Sequence, residues 1–290
     1  MEKKENSKRG DVLEPTVRAV LIVDSDTLWL EDVLKGLAAQ DYKKITYLLV
    51  QSSKEKTDSE VEELVKRTLP SAKLVKTETS KNYPYLANLA LQNGSLEVKE
   101  NFLLFLKDDL ILDATCVRRM VELAIESNAG IVGPKVLDGE NPTQLEDMGA
   151  IMDHFCSPVA RTEKGENDQG QHDLPREVSV VPESAILIRT DLFKAIGGYD
   201  PEVEPPDNNV EICLRSQLVG AKILLASNSV ATRLKNRKLV TRPSVQVSRP
   251  RNRIRMTLTS NFGVSLIRSV LESIFTVSYT HLTLPTIYSV

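Results

Sequence analysis

The sequence predicts an α/β fold with a mostly parallel central sheet flanked by helices. Three observations predict it. Short apolar runs rich in β-branched residues alternate with stretches of helical spacing through the first half of the 290-residue chain. Hydrophobic residues make up 41% of the chain, enough to build a substantial core. The most apolar of the runs ends abruptly in a pair of acids, as strands do where a sheet meets a ligand site.

Taken in order, Val17–Val23 is a buried strand, and residues 29–39 carry Leu30, Val33, Leu34 and Leu37 at helical spacing. Ile45–Val50 is a second strand. Residues 58–69 form a helix with Val61, Leu64 and Val65 on one face, and residues 73–76 a short strand. Pro84 suits the first turn of a helix running to residue 92. The run NFLLFL over residues 101–106 is the strongest strand. A helix over 114–128 ends near Gly130, and Ile131–Val136 is the next strand. Residues 137–177 are polar and loop-rich. Residues 178–189 have strand character interrupted at Pro182–Ser184. A short helix over 191–196 closes at Gly197–Gly198, a helix spans 209–219, and 221–225 is a closing strand. Strands alternating with helices at this spacing place ligands at the strands' carboxyl ends.

Composition excludes several classes. Cys116, Cys156 and Cys213 are scattered, with no CxxC pair, so neither a disulfide framework nor a structural zinc site is expected. His154 and His172 lack metal-ligand spacing. There is no Walker A, GxGxxG or HExxH motif. Residues 1–14 are charged, without the apolar stretch of a signal peptide, and read as a solvated tail. No apolar run approaches the ~18 residues that cross a bilayer.

The net charge of −3 averages two unlike parts. Residues 1–222 carry 27 basic and 39 acidic side chains; residues 223–290 carry 10 basic and one acidic, Glu272. Arg233 to Arg255 contains nine Lys/Arg and no acid. It lacks the interleaved aromatics of a nucleic-acid surface, and no nucleic-acid partner is expected. Phe262, Leu266, Ile267, Val270, Leu271, Ile274 and Phe275 then form an apolar helical stripe. Basic residues leading into an amphipathic helix suit the cytoplasmic face of an anionic plasma membrane. The expected layout is a tail over 1–14, the α/β domain over 15–235, a basic linker and membrane-proximal helix over 236–276, and a non-native tail over 277–290. Residues 277–286 match one reading frame of a sequencing adapter, so the natural protein is expected to continue past about Thr276.

Three constellations stand where chemistry is expected. Lys107, Asp108 and Asp109, with Asp113 after them, follow the strongest strand. Two hard carboxylates there suit Mg²⁺ or Mn²⁺ bridging to a diphosphate, or else cap the following helix. PESAILIR over 182–189 precedes Gly197-Gly198-Tyr199-Asp200, a tight reversal. Asp207-Asn208-Asn209-Val210-Glu211 opens a helix, where a carboxylate is either a general base or an N-cap.

In order and spacing these motifs resemble a family 2 glycosyltransferase of the GT-A (Rossmann-like) fold, in the style of large actinobacterial membrane-linked members. The resemblance runs from about Val17 to Val270. It is carried by FLKDDLILD, NAGIVGPK over 128–135, ENDQGQHD over 166–173, VPESAILIRTDLFKAIGGYDP and EICLRSQLVGAKI. It implies inverting transfer of a sugar from a nucleotide-sugar donor to a glycan or lipid-linked acceptor of the cell envelope, assisted by a divalent cation. Asp109 would be the metal ligand and Asp108 would lie by the ribose or diphosphate. Asp24, Gln51 and Ser53 would border the nucleotide, with Lys107 near a phosphate. Glu183 and Ser184 would border the acceptor, and Asp207, Asn209 or Glu211 would occupy the catalytic position.

The sequence departs from the family pattern at three places. Gln51 replaces the Asp that reads the base. Lys107 occupies the first position of the acidic motif, where a cation either meets a phosphate or competes with the metal. Asn208-Asn209 replaces a Glu-Asp pair, and an amide cannot accept a proton at neutral pH. That exchange supports an alternative, a catalytically degenerate domain that binds a nucleotide-sugar or acts as a scaffold. A nucleotidyltransferase is disfavoured, because Asp24-Ser25-Asp26-Thr27 supplies no Gly-rich phosphate loop.

Overall fold

The computed structural model describes residues 14–23, 28–52, 58–77, 82–92, 98–153, 158–163, 165–203, 205–234 and 252. Asp24 and Ser53 lie outside the described residues. So do the apolar stripe, the end of the chain, and all of the basic segment except Arg233, Leu234 and Asn252.

The central sheet has β1 (Val17–Val23), β2 (Ile45–Ser52), β3 (Lys73–Thr77) and β4 (Phe102–Lys107) as its parallel half. β5 (Leu110–Leu112), β6 (Ile131–Asp138), β7 (Leu145–Asp147), β10 (Arg176–Glu177), β11 (Ala185–Arg189) and β12 (Ile223–Arg233) complete it. Its order is β10-β12-β6-β11-β4-β1-β2-β3, with β5 on β12 and β7 on β6. β12 and β6 are also parallel, whereas β11 runs antiparallel between β4 and β6. β8 (Ala150–Met152) and β9 (Pro158–Ala160) form a separate hairpin.

Period-two alternation sorts each strand between two cores. Phe102, Leu104 and Leu106 face α1 (Leu30–Ala38), α2 (Asp58–Thr68) and α4 (Cys116–Glu126). Leu103 and Phe105 face α3 (Tyr83–Gln92), α5 (Thr190–Ala195) and α6 (Asp207–Leu218). A strand covered on both faces must be apolar throughout, which is why NFLLFL stands out. Each such side chain contributes about 1.5–3 kcal/mol by burial. Phe105, Phe193 and Tyr199 pack at ring-centroid distances of 5.0–5.7 Å beneath the second layer.

The structure corrects the reading of the second half. The polar stretch 137–177 holds β7 to β10 as short strands. Of residues 178–189 only Ala185–Arg189 is strand. The late helix starts at Asp207, and the closing strand extends to Arg233 rather than residue 225. β12 is concealed by Ser227-Asn228-Ser229, which interrupts its apolar pattern at an irregularity between Ala226 and Val230. Two of these polar residues are nonetheless buried and satisfied. Ser229 donates to the Cys116 carbonyl at 2.9 Å, and Ser227 to the Leu174 carbonyl at 3.0 Å.

Gly133 in β6 is closely approached by Val181 and Pro182. A Cβ there would stand 2.5 Å from Cβ of Val181. Gly133→Ala is therefore expected to lower stability by ~1–3 kcal/mol, read as a lower urea midpoint at unchanged slope; an unmoved midpoint would show that Val181 yields freely.

Candidate active site

The acidic turn forms because β4 leaves the apolar interior at Lys107 and the chain re-enters it at Leu110 and Leu112, both buried in β5. Pairing of β5 with Ala231–Arg233 of β12 holds the turn shut. Leu234 N–H donates to the Asp109 carbonyl at 2.7 Å, and Lys107 N–H to the Ser184 carbonyl at 3.1 Å.

Two ion pairs cross this turn. Lys107 is paired with Glu183, and Arg233 Nε meets Asp109 Oδ2 at 3.0 Å. The first position of the motif thus carries a cation locked to the turn before β11, and its last carboxylate is locked to the end of β12. Burial pulls the Arg233 guanidinium down, but Asp109, Glu183 and Glu146 outweigh it and hold it above its ordinary value. Burial raises the Tyr83 phenol, assisted by the charges of Glu183, Asp108 and Asp109.

Beside the turn opens a cleft of about 960 Å³, lined among others by Asp138, Asp147, Glu183, Asp207, Asn209 and Arg233. Glu183, Asp207 and Asn209 are therefore brought together, while Asp109 reaches the cleft wall through Arg233. Asp207 Oδ2 accepts from Asn252 Nδ2 at 3.0 Å, and Asn209 Nδ2 donates to the Val181 carbonyl at 2.6 Å. The side-chain oxygens of Asn208 and Asn209 are buried with no hydrogen-bond partner among the described residues.

Glu211 is placed elsewhere. It is paired with Arg215, whose guanidinium also donates to the carbonyls of Ile196 and Gly198, so it fastens α6 to the Gly197–Gly198 turn and does not line the cleft. Gly198 is required there. Its φ is +77°, and a Cβ would stand 2.5 Å from Asn88 Oδ1, which accepts from Tyr199 N–H. The loop 166–173 is likewise anchored: Lys135, buried in β6, holds Asp168 at 2.7 Å and Asp173 at 3.1 Å. Gln51 stands near the carboxyl end of β2, 2% exposed, with its Oε1 unpartnered among the described residues.

Among the described residues no three His, Cys, Asp or Glu converge as a metal cage. Asp109 would nevertheless fit a divalent ion that draws most of its ligands from a diphosphate and water, because its Oδ1 is buried with no hydrogen-bond partner among the described residues. Cys116 and Cys213 are buried, and burial pushes both thiols up to about 12, so neither is a nucleophile.

Two wall residues escape sequence reading. Arg233 is submerged in the basic run, and Asp147 in a stretch without periodicity. Burial raises the Asp147 carboxyl to about 6; Glu183 and Glu146 add to the rise, and the Gly149 amide and Arg233 oppose it.

The fold is that of GT-A glycosyltransferases. It superposes on GalNAc-T7, solved with UDP, GalNAc and Mn²⁺, at a TM-score of 0.64 and 15% identity over 80% of this chain and 46% of that one. The Pyrobaculum calidifontis mannosyltransferase PcManGT, solved with GDP-Man and Mn²⁺, gives 0.62 and 12% over 94% of this chain and 71% of that one. Residues 16–253 match the family described as glycosyltransferase like family 2, and the chain belongs to that family. The O-antigen biosynthesis protein RfbC of Myxococcus xanthus is 27% identical over 152 residues, covering 51% of this chain and 12% of that protein.

Because Asp147 binds its proton more tightly folded than unfolded, its effect on stability is most favourable below about pH 4, the ordinary carboxylate range. It declines as pH rises to about 6 and is then constant. Asp147→Asn is expected to raise stability by ~1–3 kcal/mol above pH 6.5 and by almost nothing near pH 4; urea titrations at the two pH values would reveal a contrary sign.

Proposed function

We propose that this domain transfers a sugar from a nucleotide-sugar donor to a hydroxyl of a cell-envelope or polysaccharide acceptor, with inversion and with a divalent cation, Mg²⁺ or Mn²⁺, at Asp109. The observation that carries the proposal is the acidic turn at the carboxyl end of the central strand, joined by two ion pairs to the wall of an adjoining cleft. The family and the nucleotide-bound fold neighbours support the donor class. RfbC, by its name, supports an envelope polysaccharide as acceptor.

Asp109 would hold the cation through Oδ1, which has no partner among the described residues, with Asp108 toward the ribose or diphosphate. Such an ion, when bound, neutralises the departing diphosphate. Gln51 offers an amide to the base edge, and Asp24 and Ser53, outside the described residues, would border the nucleotide. Lys107 and Arg233 place two positive charges where the leaving group accumulates negative charge. Glu183 and Ser184 would flank the acceptor's entry, with Asp207 and Asn209 lining the same cleft as Glu183. The basic segment beginning at Arg233 would hold the domain against the cytoplasmic face of an anionic plasma membrane. The layout in segments 15–235, 236–276 and 277–290 belongs to the same proposal.

A second reading, a degenerate sugar-nucleotide-binding domain, is favoured by one observation: Asn208 and Asn209, both buried, stand where the family places carboxylates. Assay of a UDP- and GDP-sugar panel with Mg²⁺ or Mn²⁺ separates the two. Transfer that EDTA abolishes and that Asp109→Ala lowers ~10²-fold or more is the expected result. Donor binding without turnover on any acceptor would establish the second reading, and undiminished activity of Asp109→Ala would remove the metal from that residue.

A further inference from the structure

The late helix offers amides where the family places a proton acceptor, so another wall of the cleft must supply one if transfer occurs. Its carboxylates are mostly committed. Glu183 is paired with Lys107. Asp207 accepts from the buried Asn252, and Asp138 accepts from the amides of Glu140 and Asn141. Glu140 and Glu163 are exposed, and Glu146, on the same strand as Asp147, is half-buried.

Asp147, at the end of β7, differs from all of these. Its Oδ1 accepts from Gly149 N–H at 2.8 Å, and its Oδ2 has no partner among the described residues, while the residue itself lines the cleft. The turn that pins it has little freedom. Gly149 sits at φ +73°, and a Cβ on it would stand 2.6 Å from the Val180 carbonyl oxygen. Register with Val136 sets β7 on the sheet. The charged groups that face Asp147 are Glu183, from the turn before β11, Arg233, from the end of β12, and its neighbour Glu146. The first two are the partners of Lys107 and Asp109, so Asp147 shares the cleft lining with the residues that close the acidic turn.

We propose that Asp147 is the general base of the transfer, replacing the acid absent from Asn208-Asn209. The inference rests on the transferase reading. Oδ2 takes the proton of the acceptor hydroxyl as the hydroxyl oxygen bonds to the anomeric carbon. The bond from this carbon to the diphosphate breaks, and the nucleoside diphosphate leaves with the electron pair. Asp147 then returns the proton to solvent. Burial among carboxylates suits it to this task, since a base works best when its pKa lies near the working pH.

The test compares Asp147→Asn, Asp147→Glu and Asp207→Asn with the parent protein, using the donor and acceptor that the panel yields. Asp147→Asn is expected to lose ~10²–10⁴-fold in kcat, with donor Kd unchanged by calorimetry and urea stability at least that of the parent. In the parent, kcat should fall on the acid side of about pH 6; that limb should move in Asp147→Glu, which should recover part of the rate. The proposal is overturned if Asp147→Asn turns over within about threefold of the parent, or if the acid limb belongs to Asp207 instead. A parent that binds donor but never transfers sugar would overturn the transferase reading itself, a result distinct from either of these.

Discussion

The structure is organised by the passage of β4 from a dry interior to a charged rim. Five side chains, Phe102 to Leu106, are almost wholly buried between two helical layers, and the next three are Lys, Asp and Asp. Charges cannot follow the strand inward without a desolvation cost of several kcal/mol each, so the chain must turn at Lys107. The turn is then closed by bonds to two distant segments: Glu183 before β11 and Arg233 at the end of β12. The position of the cleft follows from these closures, because both partners are part of its wall.

The ion pairs are more specific than they are strong. Their side chains remain about a fifth to a quarter exposed, so each is partly screened by solvent. What they provide is register. Lys107 with Glu183 aligns the antiparallel strand β11 against β4, and Arg233 with Asp109 brings the far end of an 11-residue strand to the same point. The Asp109 carboxylate thus has a cation beside it, and the Lys107 ammonium a carboxylate, so the turn is charge-balanced as it stands.

The late helix divides its acids between two tasks. Glu211 fastens α6 to the double-glycine turn through Arg215, while Asp207 and Asn209 line the cleft. Helical periodicity alone does not make this division, because at 100° per residue Asp207 and Glu211 share a face and Asn209 stands on the other. The pairing of Glu211 with Arg215 sets it apart from the other two.

The first half of the fold was legible in the sequence because burial on two faces leaves an unbroken apolar run, and β1, β2 and β4 all carry one. The acidic turn was legible for the same reason: its charges interrupt the run. β7 and the middle of β12 were not: Asp147 lies in a stretch without periodicity, and Ser227 and Ser229 are polar residues whose burial is offset by hydrogen bonds to carbonyls far away in sequence. No local pattern encodes such a partner. By itself the sequence determined the α/β class, the strand that carries the motif, and the exchange of acids for amides at 208 and 209. Only the tertiary structure decided that Arg233 meets Asp109 across 124 residues, that Glu211 is a fastening, and that Asp147 turns into the cleft. The reason is physical: apolar periodicity is written locally, whereas the partner of a charge is chosen by how the strands come together.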